Sequence, residues 1–492
     1  MPPLKISPRT PVLVGVGAVT QKERDPLRAC QASDLMIEAV RRAGRDSRAP
    51  RLLADAGYIA VPKGRWDYGN PAGSIAHTIG ARRAQTVLSH VGVLQQTLIG
   101  EACRRIADGE TEVALVAGGE AGYRLRQADL LGLSLRDAVD EGIPDLVLRP
   151  AEALRHPAEL RAGLDKPIGI YAMIDSAWRT RVGRSLDDHL ARIAGVYSRF
   201  SEIATTNPHA WHRKRFSEDA ILEHSARNQL QAFPYSRLHC SSWSVDQAAA
   251  LLFASATSAT AAGVPPERWV FPIASTESNH MLHASGRACL AQLPGARVTA
   301  RMALEHAGLA PADVDLVDLY SPFPIAVELY AREAGLPLDR DLTVTGAMPF
   351  AGGPYNNYVL QATARLAVLL RAGRGKTGLI SAASGVLTKQ AFAIWSTTPA
   401  RRPFLSRDVS AEVAGITAQK PILAEYDGPA VVAAHTVLYE RGVAKRGIAI
   451  LDVDGARRTV AIAANGQNMV RAIERGDFNG TRVEVRDGRF DF

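Results

Sequence analysis

Side chains able to do acid–base or nucleophilic work are few and scattered. His280 sits in "STESNHM" (275–281), where Thr276, Glu277, Ser278 and Asn279 give it local partners. An imidazole so placed is a candidate base or ligand contact, although a structural hydrogen-bonding role is the favoured reading of a lone histidine. Cys30, Cys103, Cys240 and Cys289 lie far apart with no Cys-x-x-Cys spacing, so neither a zinc site nor a disulfide framework is expected. Cys240 reads as a small core residue at the start of a buried strand. "TNPHAWHRKRF" (206–216) groups His209, Trp211, His212, Arg213, Lys214 and Arg215, a mixture suited to stacking an adenine and pairing with phosphates, and equally readable as a packed, solvated loop. "GAMPFAGGPYNN" (346–357) crowds glycines and prolines around an apolar pair without the lysine of a phosphate loop or the spacing of a dinucleotide fingerprint. It ends in Asn356 and Asn357 at a helix start, where capping is favoured over aiming donors into a pocket.

These residues need elements to hold them, and the hydrophobic pattern shows which. "PVLVGVGAVTQ" (11–21) is short, glycine-broken and followed by Lys22-Glu23-Arg24-Asp25, hence a strand and not a signal peptide. "SDLMIEAVRRAG" (33–44) has helical spacing and leads through a linker to the strand-like "LADAGYIAVP" (53–62). Much later "RMALEHAGLAPADVDLVDLYSPFP" (301–324) repeats that order. "GEACRRIADGETEVALVAGGEAG" (100–122) and "LQATARLAVLLRAGRGKTGLISAASG" (360–385) form a second matched pair of helix, turn and buried strand. Two copies of such units predict parallel sheets covered by helices, an α/β architecture.

Between the copies, about 126–235 reads as an excursion over the active-site face. "VDQAAALLFASATSATAAGVP" (245–265) returns to apolar core. Prolines and arginines in "STTPARRPFLSRDVSAE" (396–412) interrupt all periodicity, and 430–466 alternates β-rich runs with turns, as in a small barrel or sheet. The expected division is a first half over 1–262 that includes the excursion, a second half over 263–398, and a β-rich C-terminal domain over 410–492.

With 492 residues, 47% hydrophobic and 22% charged, the chain can bury more than one core and reads as soluble and globular. It lacks the long apolar span of a membrane helix, so no membrane insertion is expected. A reducing cytoplasm suits its cysteine usage. The net charge of +8 invites a polyanionic partner, yet the arginines are spread along the chain without a basic block, which favours a solvated surface.

Taken in order, "PVLVGVGAVTQ", "LHCSSWSVDQAAALLFAS" (238–255) and "DLYSPFP" (318–324) resemble the thiolase superfamily in its sterol carrier protein-type branch. "STESNHM", "GAMPFAGGPYNNYV" and "LTKQAFAIWST", with the β-rich tail, are similar to the subgroup called thiolase-like protein type 1. The resemblance covers about residues 8–396. It implies two βαβαβαββ halves in a five-layered αβαβα core, followed by a C-terminal domain for which an OB-like barrel is one candidate form.

It also implies a site. Thiolases use a cysteine thiolate, an activating histidine, a second cysteine for proton exchange and polar donors for the oxyanion. Residue by residue, the nucleophile position falls at Val93, with Gly92 the alternative. The histidine of a Gly-His-Pro stretch falls at Gly353, after Gly352, and the second cysteine at Ala383, beside Ser384 and Thr388. The oxyanion position falls at Tyr320. Because such groups act as a unit, ordinary thiolase catalysis is not expected. The leading expectation is an acyl-CoA- or lipid-binding protein of the acetyl-CoA acetyltransferase family by fold, with no cofactor and a coenzyme A thioester as ligand, contacted by His280, Tyr320, Gly352, Gly353, Asn356 and Ser384. An acyltransferase or hydrolase rebuilt on His280, Tyr320 or Ser384 is the alternative, followed by binding of a protein partner or, least favoured, nucleic acid through the C-terminal domain. Thiolases pair through an edge strand, so a homodimer and a monomer both remain open.

Overall fold

The computed structural model describes residues 6–135, 137, 142–474 and 477–491. Of the excursion expected over 126–235, residues 136 and 138–141 lie outside these, as do residues 1–5 of the first half and 475, 476 and 492 of the C-terminal region.

The first half opens with β1 (Pro11–Gln21), apolar and buried almost throughout. Helix α1 (Ala32–Asp46) lies directly on it. A Cβ at Gly15 or Gly17 would overlap the carbonyl oxygens of Ala43 and Ala39, so glycine at these two positions lets the helix backbone seat on the strand. The chain continues through β2 (Tyr58–Pro62), α2 (Pro71–Ile79), β3 (Gln85–Ser89), α3 (Gln95–Asp108), β4 (Val113–Ala121), α4 (Gly122–Leu130) and β5 (Leu146–Leu148). The excursion then supplies α5 (Pro157–Arg161), α6 (Pro167–Arg181), α7 (Leu186–Thr206), α8 (Glu218–Leu222), β6 (Leu230–Ala232) and β7 (Tyr235–Ser236) before β8 (Asp246–Ser255) and α9 (Ala256–Ala261). The sheet order is β1-β8-β4-β2-β3-β5, parallel among β4, β2, β3 and β5 and antiparallel at β8.

The second half repeats the plan with β9 (Phe271–Ser278), α10 (Pro294–Ala307), β10 (Leu316–Asp318), α11 (Pro324–Glu333), α12 (Ala347–Ala351), α13 (Tyr358–Arg371), β11 (Thr377–Ser384) and β12 (Lys389–Ser396). Its sheet order is β10-β11-β12-β9-β13, where β13 (Leu405–Asp408) comes from the proline- and arginine-rich stretch that breaks the sequence periodicity. Where the first half has β3, residues 342–346 form no strand; the Asp318 carboxylate instead accepts from Thr343 Oγ1, the Val344 and Thr345 amides, Thr345 Oγ1 and Tyr358 Oη at 2.8–3.0 Å. Buried carboxylate bonds substitute for a backbone ladder.

Helices α3 and α13 are sandwiched: α3 packs on β4 and β9, α13 on β8 and β11. With α1 on the outside of the first sheet and α10 on the outside of the second, the layers run helix, sheet, helix, sheet, helix.

Helix α14 (Ser410–Ile416) leads to β14 (Gly428–Glu440), β15 (Val443–Val453), β16 (Arg457–Ala463), α15 (Gly466–Glu474), β17 (Arg482–Arg486) and β18 (Arg489–Asp491). Strand β14 pairs with β15, β15 with β16, β16 with β18, β18 with β17, and β17 with β14, which closes a five-stranded barrel of the OB kind. Strands β6 and β7 of the excursion extend it beyond β14.

Candidate functional site

The turn at 89–94 enters α3 at the end of the first sheet, and Lys389 opens β12 at the matching end of the second. Lys389 Nζ donates to the Gly92 carbonyl at 3.2 Å. Around this contact lies a cleft of about 720 Å³, lined by Val93, Thr97, Leu148–Glu152, Asn279–Met281, Lys389 and Ser410 among others. Pro150 and Leu154 press on the Cα of Gly92, whose φ of 106° suits glycine alone.

Strand register orders the floor. Ala391 pairs with Glu277, so Lys389, two residues along β12, shares the face of Glu277, with Ser384 opposite Lys389 on β11. Glu277 accepts from Thr97 Oγ1 at 2.6 Å and from Asn279 Nδ2 at 3.0 Å. Burial pushes its carboxyl up to about 6. Burial also lowers the Lys389 ammonium, opposed by Glu152, Glu277 and Asp408, and lowers His280, opposed by Glu152. Lys389 is 3% exposed and has no carboxylate within 4.0 Å among the described residues. The result is a nearly buried amine at the rim of an open cleft.

The sequence-predicted positions divide. Val93 and His280 line this cleft. Ala383 pairs with Gln390 and faces the opposite side of the sheet from Ser384 and Lys389. The Tyr320 amide is held by Ser381 Oγ at 2.8 Å and its ring lies edge-on to Tyr358, with burial pushing the phenol up to about 12. Tyr320, Gly353, Asn356, Ala383 and Ser384 are not among the residues lining the cleft.

The glycine-rich loop packs against the excursion. It contains the short helix α12, and its carbonyls accept from the excursion: Trp211 N to Ala351 O at 2.9 Å and His212 N to Phe350 O at 2.7 Å. Gly353 N donates to Ser242 O at 2.9 Å, and the Ser241 hydroxyl occupies the space a side chain at 353 would need. Gly352, at φ 101°, leaves room for the Gln247 amide and borders a separate cavity of about 150 Å³ with His209, Tyr358 and Gln361.

Two local expectations change. Neither asparagine caps α13 through its side chain: Gln95 Oε1, reaching from α3, accepts from Val359 N at 2.8 Å, while Asn356 Nδ2 donates to Lys63 O at 3.3 Å. Cys240 follows a single 3₁₀ turn, in no strand, and its thiol donates to Ser236 O at 3.2 Å; burial pushes it up to about 12, so it is no ready nucleophile.

The aromatic and basic loop at 206–216 is largely engaged within the protein: Trp211 packs edge-on against Tyr123 with Lys22 over its ring, and burial lowers His209 and His212. No cluster of His, Cys, Asp and Glu fit for a metal ion occurs among the described residues. Lys389, Glu152 and Thr97 escaped the sequence reading. The one signal for them was a lysine at the head of an otherwise apolar strand, "KQAFAIWS".

No protein-family model and no curated protein matches the chain. Solved structures do. A monomeric SCP2-thiolase-like protein type 1 from Mycobacterium smegmatis is 27% identical with a TM-score of 0.83, covering 99% of this chain and 100% of that one. An acetyl-CoA acetyltransferase from Syntrophomonas wolfei (18% identity, TM-score 0.56) covers 79% of this chain and 99% of its own. Human mitochondrial 3-ketoacyl-CoA thiolase in complex with CoA (16%, 0.57) covers 80% and 100%. The layered halves, the closed barrel and full-length likeness to the first of these agree with the motif order: the chain has the thiolase fold and is similar over its whole length to a sterol carrier protein-type thiolase-like protein of type 1.

Proposed function

We propose that the protein binds an acyl-CoA thioester in the cleft of about 720 Å³ at the α3 turn and does not carry out ordinary thiolase chemistry. The observation that carries this reading is the cleft's position: it opens at Val93, the residue to which motif order assigns the family's nucleophile position, and is large enough for an acyl thioester head. Val93, Leu148, Pro150, Ala151 and Met281 offer apolar wall to an acyl chain; Arg149, His280 and Lys389 offer donors to amide or phosphate oxygens. Valine supplies no thiolate, and Gly353 supplies no base. A thiolase and an acetyl-CoA acetyltransferase among the structural neighbours support the ligand class.

A monomer in the reducing cytoplasm is the form we assign. The free edge of β3 is taken by β5 of the same chain, as Val87, Leu88 and Ser89 pair with Leu146, Val147 and Leu148. The four cysteines are free.

Isothermal calorimetry across acetyl- to palmitoyl-CoA tests the reading. Binding at micromolar Kd, about 8 kcal/mol, is expected for at least one chain length. Acetoacetyl-CoA with free coenzyme A should give no cleavage, before or after Val93→Cys. Absence of heat for every thioester overturns the binding reading, and thiolysis at about 1 per second or faster overturns the catalytic one.

A further inference from the structure

We propose that Lys389 is an imine-forming nucleophile whose amine condenses reversibly with the keto carbonyl of an oxoacyl thioester seated in the cleft. The inference rests on the acyl-thioester reading of that cleft and adds a covalent step to it.

Three observations converge. Lys389 Nζ sits beside the turn that carries Val93, so a carbonyl delivered to the family's nucleophile position meets an amine instead of a thiolate. Its one hydrogen-bond partner is a neutral backbone carbonyl, with no carboxylate close enough for an ion pair among the described residues. An uncharged amine keeps that bond by donating one N–H and still has its lone pair. The side chain is 3% exposed yet lines an open cleft, the combination that favours the neutral amine and gives it access to a ligand. The charged and titratable groups around it are Glu152 and Arg149 from the covering segment, Glu277 and His280 from β9 and the residues after it, and Asp408 from β13.

The keto carbonyl is the chemically sensible target. Attack on the thioester carbonyl would break the carbon–sulfur bond, release coenzyme A and leave a permanent amide, ending the function after one event. At a keto carbon the nitrogen lone pair forms the N–C bond and the carbonyl π pair moves to oxygen. The amine's two protons leave with that oxygen as water, and the resulting imine hydrolyses by the reverse path. His280, lining the same cleft, is placed to pass these protons. No oxidant, metal or further reactant is needed.

The test is reductive trapping. Intact protein is incubated with acetoacetyl-CoA, or with free acetoacetate, and sodium cyanoborohydride, then digested and mapped by mass spectrometry. We expect one adduct per chain, on Lys389, at least tenfold above any other lysine, and its loss in Lys389→Met. Labels spread over the exposed lysines, or unchanged labelling in Lys389→Met, overturn the inference. A thermal melt checks that the variant is folded; should it not be, the wild-type map alone decides by whether Lys389 dominates. Calorimetric binding of acetoacetyl-CoA without any adduct on Lys389 overturns the imine and leaves the binding reading standing. Labelling of Lys389 by acetoacetate, when no thioester binds, upholds the amine's reactivity and overturns the binding reading.

Discussion

Glu277 shows how one buried side chain ties stability to pH. Its carboxyl rises from 4.5 to about 6 because burial penalises the charged form more than Thr97 and Asn279 help it. The folded protein therefore holds this proton more tightly than the unfolded chain. Stability should fall as pH rises from about 4.5 to about 6 and stay lowered above that, by roughly 2 kcal/mol from this group. Glu277→Gln keeps an acceptor for Asn279 and gains a donor for the Thr97 hydroxyl, so its urea-denaturation stability should fall about 2 kcal/mol less than the wild type's across that window, the remaining slope coming from groups such as Glu120, whose carboxyl burial pushes up to about 7. A variant whose pH profile parallels the wild type would assign the dependence elsewhere.

At the scale of elements, close approach of backbones carries much of the first half. Gly17 lies under the Ala39 carbonyl of α1, and a methyl group there must push helix from strand. Gly17→Ala should cost roughly 1–3 kcal/mol, read as a fall of several degrees in Tm, whereas an alanine at exposed Gly415 of α14 has open space around it and helical backbone that accepts it. The edge of β3 is a second case. Three residues of β5 cover it, too short an edge to template another chain. Light scattering should find a monomer, and Val147→Pro, which weakens that cover, should yield dimers or larger species. A wild-type dimer at micromolar concentration would contradict this account of the edge.

For the whole molecule, the barrel is part of the main body. Ala434, Ile448, Ile450 and Val460 of its strands belong to the same buried cluster as Ile170 and Met173 of α6. His435 N donates to Ser176 Oγ at 3.0 Å, and the Arg458 guanidinium donates to the carbonyls of Arg287 and Ala288. A chain ending at residue 419 would expose that apolar face and leave β6, which carries β7 on its other side, without its partner β14. It should aggregate, and the intact chain should unfold in one calorimetric transition; two well-separated transitions would show an independent barrel.

Apolar periodicity and the turn residues between runs were enough, by themselves, to determine the doubled helix-and-strand plan, the excursion and the β-rich tail, because burial of an amphipathic face acts within a few residues of itself. Motif order likewise set the expectation that Val93 and Gly353 stand where catalytic groups would be. What only the tertiary structure decided lies between residues distant in sequence. Lys389 reaches Gly92 across 297 positions, Gln95 caps α13 across 264, and the Ser241 hydroxyl fills the place of a side chain at 353. None of these pairs has a local signature: a lysine's hydrogen-bond partner, and hence whether its amine stays charged, depends on which segment packs against its strand. The filled glycine loop and the buried amine follow from that packing, through steric exclusion in one case and desolvation in the other.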